Sequence, residues 1–371
     1  MSTHDAFIDE ALALAVRGRG FVSPNPMVGA LVVKDGRIVG RGYHQEFGGP
    51  HAEIFALREA GELARGATLY CTLEPCNHFG KTPPCAHAVI AAGVQTVVLG
   101  ARDPNPDAKG GVEALRAAGI EVVTGVRERE CRELNAAFFK RVRTGLPFIT
   151  LKWAMSADGR IATVTGDSKW ITSETAREHA HGLRAQHDAV LAGIGTLLAD
   201  GSRLNCRLPS GVRIRQPARV ILDSQLRTPP DAPLFQTRDA GPVIIACKAS
   251  APDERKHALS KAGAALIADE QLPSAAALPE VLKALAQRGI QSVLVEGGSR
   301  VLGSFIDAGL CDAAVIYVGS KLLGGASALG PVGGGGVARV KDALPLRDLA
   351  VETAGPDIVI RGRCGDWAWM I

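Results

Sequence analysis

The chain has 371 residues, of which 46% are hydrophobic and 22% are charged. This balance is typical of globular proteins and excludes disorder, collagen and coiled coil, and at about 150 residues per domain the length predicts two domains. The 42 basic and 38 acidic residues leave a net charge of +4, which is too small for an extended nucleic-acid or membrane surface. We therefore expect a small-molecule partner, with neither nucleic acid nor membrane involved.

The N-terminus and the cysteines favour a cytoplasmic protein. Asp5, Asp9 and Glu10 stand where a secretory signal needs an acid-free apolar core. No apolar stretch approaches the roughly 20 residues that span a bilayer. Eight cysteines in a chain of this length are too few for a disulfide framework, so they are expected to be thiols, ligands or catalytic groups.

In the first half, helices and strands alternate. Periodicity predicts a helix over residues 5–16, and then a β-hairpin that turns at Asp35 and Gly36, where both positions need positive φ. Further helices are predicted at 51–63, 85–92, 111–118 and 127–139, and strands at 68–72, 96–99 and 121–124. This alternation predicts an α/β sandwich with a largely parallel sheet.

A second series of elements follows an interruption at residues 141–147. This interruption predicts a first domain over residues 1–144 and a second over 148–371. Strands are predicted at 148–155, 189–193, 219–222, 243–247, 292–295 and 314–318, with helices between most of them. Thr172 and Ser173 are suitable caps for one of these helices. The second domain is therefore also predicted to be α/β.

Three side chains suited to metal binding converge in the first half. His51 begins a predicted helix, and Cys76 and Cys85 each follow a proline. One imidazole and two thiolates leave the fourth vertex of a tetrahedral zinc site open, as in catalytic sites. Glu53 is placed to take a proton from a water at that vertex and pass it to a leaving amine. This pattern is typical of zinc nucleobase deaminases.

Two alternatives to a catalytic zinc site stay open. A fourth ligand from His78 or Cys71 would make the site closed and structural. A binding protein that is merely stabilised by zinc would unfold its first domain on chelation without losing any activity.

The eight residues between the two cysteines bear on the substrate. Lys81 and Thr82 lie there on a Gly/Pro-rich loop and can hold a phosphate, although a loop lysine alone is usually only solvated. Asn25, between two prolines, can hydrogen-bond a pyrimidine edge or simply order its turn.

Three stretches of the first half together resemble a known family, the bacterial bifunctional riboflavin-biosynthesis deaminase-reductases. They are SPNPMVG at 23–29, HAE at 51–53 and EPCNHFGKTPPC at 74–85. The long spacing between the cysteines distinguishes this family from tRNA adenosine deaminases and cytidine deaminases. The resemblance implies a cytidine-deaminase-like α/β/α sandwich that hydrolytically deaminates a diaminopyrimidinone carrying a phosphoribosylamino group.

The second half resembles the reductase domain of the same family at residues 151–162, 183–184, 188–200 and 220–224. This resemblance implies a dihydrofolate-reductase-like α/β fold and the NADPH-dependent reduction of the ribosyl chain to ribityl. The implied cofactor-binding residues are Ala154, Trp170, Thr196, Asp200, Ser224, Gly298, Ser299 and Arg300. The implied substrate-binding residues are Ser168, Arg184, Leu204, Arg207 and Glu296.

Elementary chemistry gives several of these residues a role. The forks of Arg184 and Arg207 match a phosphate, and Glu296 can accept hydrogen bonds from the substrate. Lys152 is a candidate to polarise the carbonyl or imine that receives hydride. The glycine turn at Gly298 lets a phosphate approach backbone amides, although an ordinary strand-to-helix turn shows the same pattern.

We therefore expect a bifunctional enzyme that deaminates and then reduces one phosphorylated pyrimidine. The competing hypothesis is a zinc deaminase of tRNA or nucleosides with a C-terminal recognition domain, which predicts a basic surface that the charge of +4 does not favour. Family analogy predicts a homo-oligomer, either a dimer or a tetramer.

Overall fold

A computed structural model describes residues 3–79, 83–209, 211–237 and 240–370. The chain forms two compact units that divide between Gly145 and Leu146. Each unit has its own sheet, and the described residues supply five strands to the first and nine to the second. Among the described helices, none combines the length and apolar character needed to cross a bilayer.

The first unit alternates helices and strands around a mixed sheet. Its helices are α1 (Thr3–Ala15), α2 (Ala52–Ala60), α3 (Cys85–Ala91), α4 (Gly111–Ala117), α5 (Glu128–Leu134) and α6 (Ala136–Thr144). Its strands are β1 (Gly29–Lys34), β2 (Arg37–Tyr43), β3 (Thr68–Leu73), β4 (Thr96–Ala101) and β5 (Glu121–Val123). The sheet order is β2-β1-β3-β4-β5.

The sheet of the first unit is parallel in only one half. Strands β3, β4 and β5 run parallel, whereas β1 is antiparallel to both of its neighbours. The antiparallel pairing of β1 with β3 departs from the expectation of a largely parallel sheet, whereas the hairpin of β1 and β2 was itself predicted. Its turn was predicted correctly, with φ of 50° at Asp35 and 73° at Gly36, and so tight a turn forces antiparallel pairing.

Helices cover both faces of this sheet. Ala30 pairs with Gly42, so these two residues point to the same face. A Cβ added at Gly42 would lie 2.1 Å from the carbonyl oxygen of Ala52 in α2, and one added at Gly29 would lie 1.9 Å from that of Ala11 in α1. Because adjacent residues of a strand point to opposite faces, α1 and α2 lie on opposite sides, as in the expected α/β/α sandwich.

The single helix predicted over residues 127–139 is two helices. Asn135 separates them with φ of −104° and ψ of 24°. Its side chain accepts from the Met27 amide at 2.7 Å and donates to the Met27 carbonyl at 2.8 Å, which holds it away from helical geometry. The second helix, α6, continues to Thr144 and ends at Gly145 with φ of 73°. Part of the predicted interruption is therefore helical.

The second unit carries a long sheet with a hairpin at one edge. Its helices are α7 (Glu174–Ala185), α8 (Ile194–Asp200), α9 (Asp253–Lys261), α10 (Leu278–Gln287) and α11 (Ser299–Asp307). Its strands are β6 (Phe148–Ser156), β7 (Ala189–Gly193), β8 (Ala218–Leu222), β9 (Val243–Cys247), β10 (Ala264–Ala268), β11 (Ser292–Gly297), β12 (Ala313–Gly319), β13 (Leu346–Ala354) and β14 (Asp357–Cys364). The order is β10-β9-β8-β7-β11-β6-β12-β14-β13.

The strands from β10 to β12 pair in parallel, and only β14 and β13 are antiparallel. Buried apolar clusters lie against this sheet, which explains the continuous apolar runs of β7 and β9. Sequence analysis missed β10, β13 and β14. Strand β13 is largely exposed and mixes charged with apolar residues, so it lacks the usual pattern. The predicted cap is present, because Ser173 Oγ accepts from the Ala176 amide.

The close approach of α1 to the sheet gives a stability prediction. Replacing Gly29 with Ala places a methyl group against the Ala11 carbonyl, so unfolding of the first unit should become easier by about 1–3 kcal/mol. In the control Gly182→Ala in α7, the new Cβ meets nothing within 4 Å, and stability should be unchanged or rise. Differential scanning calorimetry compares them. An unchanged first-unit transition in Gly29→Ala would contradict this packing.

Candidate active sites

Three local structures bring the predicted metal ligands of the first unit together. His51 is the residue before α2, Cys76 follows β3, and Cys85 is the first residue of α3. Because α2 and α3 lie on the same side of the sheet, their N-terminal ends meet beside the end of β3. The loop that carries Cys76 is held by Glu74, whose carboxylate accepts from the amides of Asp103 at 3.2 Å and Val112 at 3.1 Å.

The ligand atoms have the spacing of a zinc site. Nδ1 of His51 lies 3.2 Å from Sγ of Cys85 and 3.6 Å from Sγ of Cys76. A tetrahedral zinc ion with ordinary Zn–N and Zn–S bonds holds such atoms about 3.5 Å apart. Among the residues that the structure describes, these three form the group able to hold a metal ion. His78 and Cys71 are outside it, so the structure gives no support to a closed site.

The two thiols share a proton through a hydrogen bond from Cys85 to Cys76. This bond lowers the pKa of the Cys76 thiol and raises that of the Cys85 thiol, so Cys76 is the first of the pair to become a thiolate. Glu53 is 3% exposed, and burial raises the pKa of its carboxyl group. Its Oε2 has no hydrogen-bond partner in the described chain. A buried carboxylate oxygen without a partner is costly unless a ligand completes it, so the residues present fit a zinc ion with an open vertex.

The predicted substrate residues of the first unit are only partly described. Nδ2 of Asn25 lies 3.2 Å from Nε2 of His44, and Nδ1 of His44 lies 3.0 Å from the Pro50 carbonyl. Sequence analysis missed His44, whose ring meets that of His51 edge to face at 5.2 Å between centroids. Asn25 is thereby placed beside the metal ligands. The other two predicted residues, Lys81 and Thr82, lie outside the described residues.

One large cavity of the second unit gathers the predicted reductase residues. Its volume is about 1520 Å³, and it is lined by Lys152, Ala154, Ser168, Trp170, Arg184, Thr196, Asp200, Leu204, Arg207, Ser224, Glu296, Gly298, Ser299 and Arg300. Most of these residues follow β7, β8 and β11 or lie on β6, whose carboxyl ends share one edge of the sheet. This edge is where open parallel sheets bind ligands.

The glycine turn faces this cavity. Gly298 has φ of 67° and precedes α11, so backbone amides open toward the cavity at a helix N-terminus. A Cβ at Gly298 would lie 3.2 Å from Oγ1 of Thr196, and one at Gly297 would lie 2.8 Å from Cβ of Ala192. The close packing therefore requires small residues here, which the pattern alone did not distinguish from an ordinary turn.

Opposite charges pair inside the cavity wall. Arg184 donates from Nε and Nη2 to the two carboxylate oxygens of Glu296, each at 2.7 Å. Nζ of Lys152 lies 3.8 Å from Oε2 of the same carboxylate. Although burial alone would raise the pKa of Glu296, the charges of Arg184 and Lys152 lower it to about 2. Sequence analysis assigned the Arg184 guanidinium to a phosphate, whereas in the structure it binds the Glu296 carboxylate. A buried carboxylate needs an oppositely charged partner.

Other cationic and aromatic side chains remain open to a ligand. Arg207 is exposed, and its Nη1 donates to Oδ1 of Asn205 at 2.7 Å. Arg203 and Arg227 also line the cavity, although sequence analysis missed both. Trp170 is 60% exposed and stacks against the Arg177 guanidinium at 4.4 Å, so it is not a core residue. An exposed aromatic face at a cavity can stack on a flat ligand.

The two sites define a zinc-dependent deaminase joined to a reductase. Residues 1–101 match the cytidine and deoxycytidylate deaminase zinc-binding region, and residues 147–360 match the RibD C-terminal domain. The fold class predicted from the sequence is confirmed, as α/β in both units with a deaminase-like first and a reductase second.

Relatives match over nearly the whole chain. Riboflavin biosynthesis protein RibD of Aquifex aeolicus is 44% identical and covers 94% of this chain and 95% of its own, and that of Bacillus amyloliquefaciens is 46% identical with 95% and 94% covered. A solved Acinetobacter baumannii RibD is 38% identical with a TM-score of 0.88 and covers 98% of this chain and 99% of its own. The chain belongs to the RibD family of bifunctional riboflavin-biosynthesis deaminase-reductases.

Membership of the RibD family distinguishes between the functional hypotheses drawn from the sequence. The expected zinc site and the expected combination of a deaminase with a reductase are confirmed by the two matched domains and the full-length relatives. NADPH stays the reductant that the family resemblance implies. The alternative of a tRNA or nucleoside deaminase with a recognition domain is not favoured, and neither is a non-catalytic binding protein. The individual residue roles stay predictions.

The group of His51, Cys76 and Cys85 predicts that Cys85 binds zinc and that Cys71 does not. A Cys85→Ala variant should retain less than about a tenth of the zinc that the wild-type chain retains after dialysis, because two ligands hold the ion too weakly. Cys71→Ala is the matched control, since this buried cysteine lies outside the group and should leave the zinc content unchanged. Mass spectrometry of the metal checks both. Zinc loss in the Cys71 variant would mean that a fourth side chain closes the site.

Proposed function

We propose that the first domain, residues 1–144, deaminates 2,5-diamino-6-(5-phosphoribosylamino)pyrimidin-4-one and that the second, residues 148–371, uses NADPH to reduce the ribosyl chain of the product. A solved Thermotoga maritima protein, 38% identical with a TM-score of 0.84, is named a diaminohydroxyphosphoribosylaminopyrimidine deaminase and 5-amino-6-(5-phosphoribosylamino)uracil reductase and covers 98% of this chain and 99% of its own. The observation that carries the proposal is the three-ligand group beside the Glu53 carboxylate, whose Oε2 has no hydrogen-bond partner in the described chain.

In the first domain, His51, Cys76 and Cys85 would hold the zinc. When bound, the ion supplies Lewis-acid activation of a water molecule. Glu53 takes the proton of the attacking water and delivers it to the amine that leaves as ammonia. Burial favours this role, because a raised pKa lets the carboxyl group carry the proton between the two steps.

The substrate residues of the first domain follow from the same chemistry. Nδ1 of His44 donates a hydrogen bond to the Pro50 carbonyl. Nε2 therefore carries no hydrogen and accepts from the Asn25 amide group. This leaves Oδ1 of Asn25 to accept from a donor on the pyrimidine. Lys81 and Thr82 are proposed to bind the phosphate, because an ammonium and a hydroxyl on one loop can hold it.

In the second domain, the cavity would hold both ligands. Ala154, Trp170, Thr196, Asp200, Ser224 and the turn from Gly298 to Arg300 are proposed to contact NADPH, which supplies the hydride when bound. The proposed substrate contacts are Ser168, Leu204, Arg207 and Glu296, with Arg184 holding Glu296. Lys152 lies beside Glu296 and is proposed to stabilise the negative charge that develops on the carbonyl oxygen or imine nitrogen as hydride adds to the carbon.

A coupled assay tests the proposed function. Zinc-loaded protein mixed with the diaminopyrimidinone ribosyl phosphate and NADPH should release ammonia and oxidise NADPH. The absence of both would refute the proposal. Ammonia without oxidation of NADPH would refute the assignment of the second domain alone.

Replacing Glu53 with Gln separates the two activities. Ammonia release should fall by at least about 100-fold, because Gln cannot transfer the proton. Oxidation of NADPH with the deaminated substrate should stay within about twofold of wild type. The control is Glu62→Gln, which changes an exposed carboxylate after the same helix and should change neither rate. If both activities fell together in a folded Glu53→Gln protein, the separation of the sites would be wrong.

The pH dependence of reduction reports on Lys152. Burial lowers the pKa of Lys152 from its ordinary value of about 10.4, the charge of Glu296 raises it, and Arg184 lowers it. The rate should fall as rising pH removes the Lys152 proton. Glu296→Gln removes the raising effect, so the alkaline fall should move to lower pH.

Steady-state oxidation of NADPH across the alkaline range measures this shift. Glu280→Gln is the control, because Glu280 is exposed and pairs only with the neighbouring Lys283 in the described structure. Its profile should match that of wild type. A Glu296→Gln profile that is unchanged, or that moves to higher pH, would remove Lys152 from its proposed charge-stabilising role.

Two coarser predictions complete the proposal. We expect the chain to act in the cytoplasm on a small phosphorylated pyrimidine, and to form a dimer or tetramer as family analogy suggests. Sedimentation equilibrium of the full chain measures the oligomeric state, and a monomer at micromolar concentration would contradict the second expectation.

A further inference from the structure

His181 lies in the reductase cavity, and neither its sequence context nor the family resemblance gave it a role. It belongs to α7, one turn before Arg184, and it lines the cavity. The charged groups that face it are Arg184 on its own helix, Arg207 on the loop between α8 and β8, Lys152 on β6 and Glu296 on β11.

The ring of His181 is fixed by a backbone group. Its Nδ1 accepts from the Arg207 amide at 3.2 Å. An amide can only donate, so Nδ1 carries no hydrogen, and a neutral ring has its hydrogen on Nε2. Burial and the charges of Arg184 and Arg207 lower the pKa of His181 to about 4, so the neutral form is the one present near pH 7.

The segment from Asn205 to Arg207 is held almost entirely by side chains. Arg184 donates from Nη1 to the Asn205 carbonyl at 2.8 Å. Gln216 accepts from the amide of Cys206 and donates to its carbonyl, each at 2.9 Å. His181 completes the series at the next amide, and its own carbonyl accepts from the Cys206 thiol at 3.0 Å.

This arrangement fixes the backbone from which the Arg207 side chain extends. The segment belongs to no helix or strand, so it has no ladder of backbone hydrogen bonds to set its position. The contacts with α7 provide that position, and α7 also holds Glu296 through Arg184. A binding side chain is effective only when its supporting backbone is held in place before the ligand arrives.

We propose that His181 is a positioning residue, which holds the Arg207 amide so that the Arg207 guanidinium meets the substrate phosphate. The inference rests on the proposed function, which makes Arg207 a substrate contact. His181 itself need not touch the substrate. Its effect should therefore appear in the affinity for a phosphorylated substrate and should disappear when Arg207 is removed.

Three substitutions separate the two ring nitrogens. In His181→Asn, the amide oxygen lies near the position of Nδ1 and can still accept from the Arg207 amide. In His181→Gln, the longer side chain brings its amide near the position of Nε2 and loses that acceptor. His181→Leu removes both polar groups while keeping a similar volume.

The measurement is steady-state NADPH oxidation with the deaminated substrate, with and without its phosphate. His181→Leu and His181→Gln should raise KM for the phosphorylated substrate by about tenfold and leave kcat within about twofold, whereas His181→Asn should keep KM within about threefold of wild type. For the substrate without phosphate, all three should resemble wild type. A general structural defect would weaken both substrates alike.

A double variant tests whether His181 acts through Arg207. In an Arg207→Ala background, His181→Leu should add less than about a twofold change, because the positioned group is already gone. Additive effects would overturn the proposal. So would an unchanged KM in His181→Leu, or a normal KM in His181→Gln with a raised one in His181→Asn, since that pattern assigns direct binding to Nε2.

The outcome is distinguishable from failure of the proposed function. If the wild-type chain did not oxidise NADPH with the deaminated substrate, the proposed function of the second domain would be wrong. If wild type is active and the variants lack the expected pattern, only the inference about His181 is overturned. Titration of NADPH by fluorescence should give the same affinity for all variants, which confirms that the cavity is folded.

Discussion

The first domain depends on the meeting of one imidazole and two thiols at the ends of two helices. His51 precedes α2 and Cys85 begins α3, while Cys76 reaches them from the end of β3. With their ligand atoms within 4.8 Å of one another, such groups favour a divalent ion, and binding the ion also holds the two helices to the strand. Oε2 of Glu53 has no hydrogen-bond partner in the described chain, and a water at the open vertex would supply one.

In the second domain, positively charged side chains stabilise a buried carboxylate. Glu296 keeps its charge inside the cavity wall because Arg184 grips both of its oxygens and Lys152 stands nearby. Arg184 also donates to the Asn205 carbonyl, so one guanidinium holds together α7, β11 and the loop between α8 and β8. A buried charge set of this kind is specific in geometry, because a missing member leaves the others without a partner.

The sequence was sufficient for some features and insufficient for others. The group of candidate zinc ligands was predictable because few combinations of residue types suit a metal, and the Asp35-Gly36 turn because its backbone angles exclude most residues. By contrast, the pairing of Arg184 with Glu296 joins residues over a hundred positions apart, and the roles of His44 and His181 depend on a backbone carbonyl and a backbone amide. Such partners are set by tertiary packing and leave no local pattern.

X-ray absorption at the zinc edge of the intact protein tests the central claim most directly. The account predicts two sulfur neighbours at about 2.3 Å, one imidazole nitrogen at about 2.0 Å and one further light atom that exchanges with solvent or inhibitor. A coordination sphere with a third sulfur or a second imidazole would mean that the vertex is sealed by the protein. The proposed deamination chemistry would then have no place to occur.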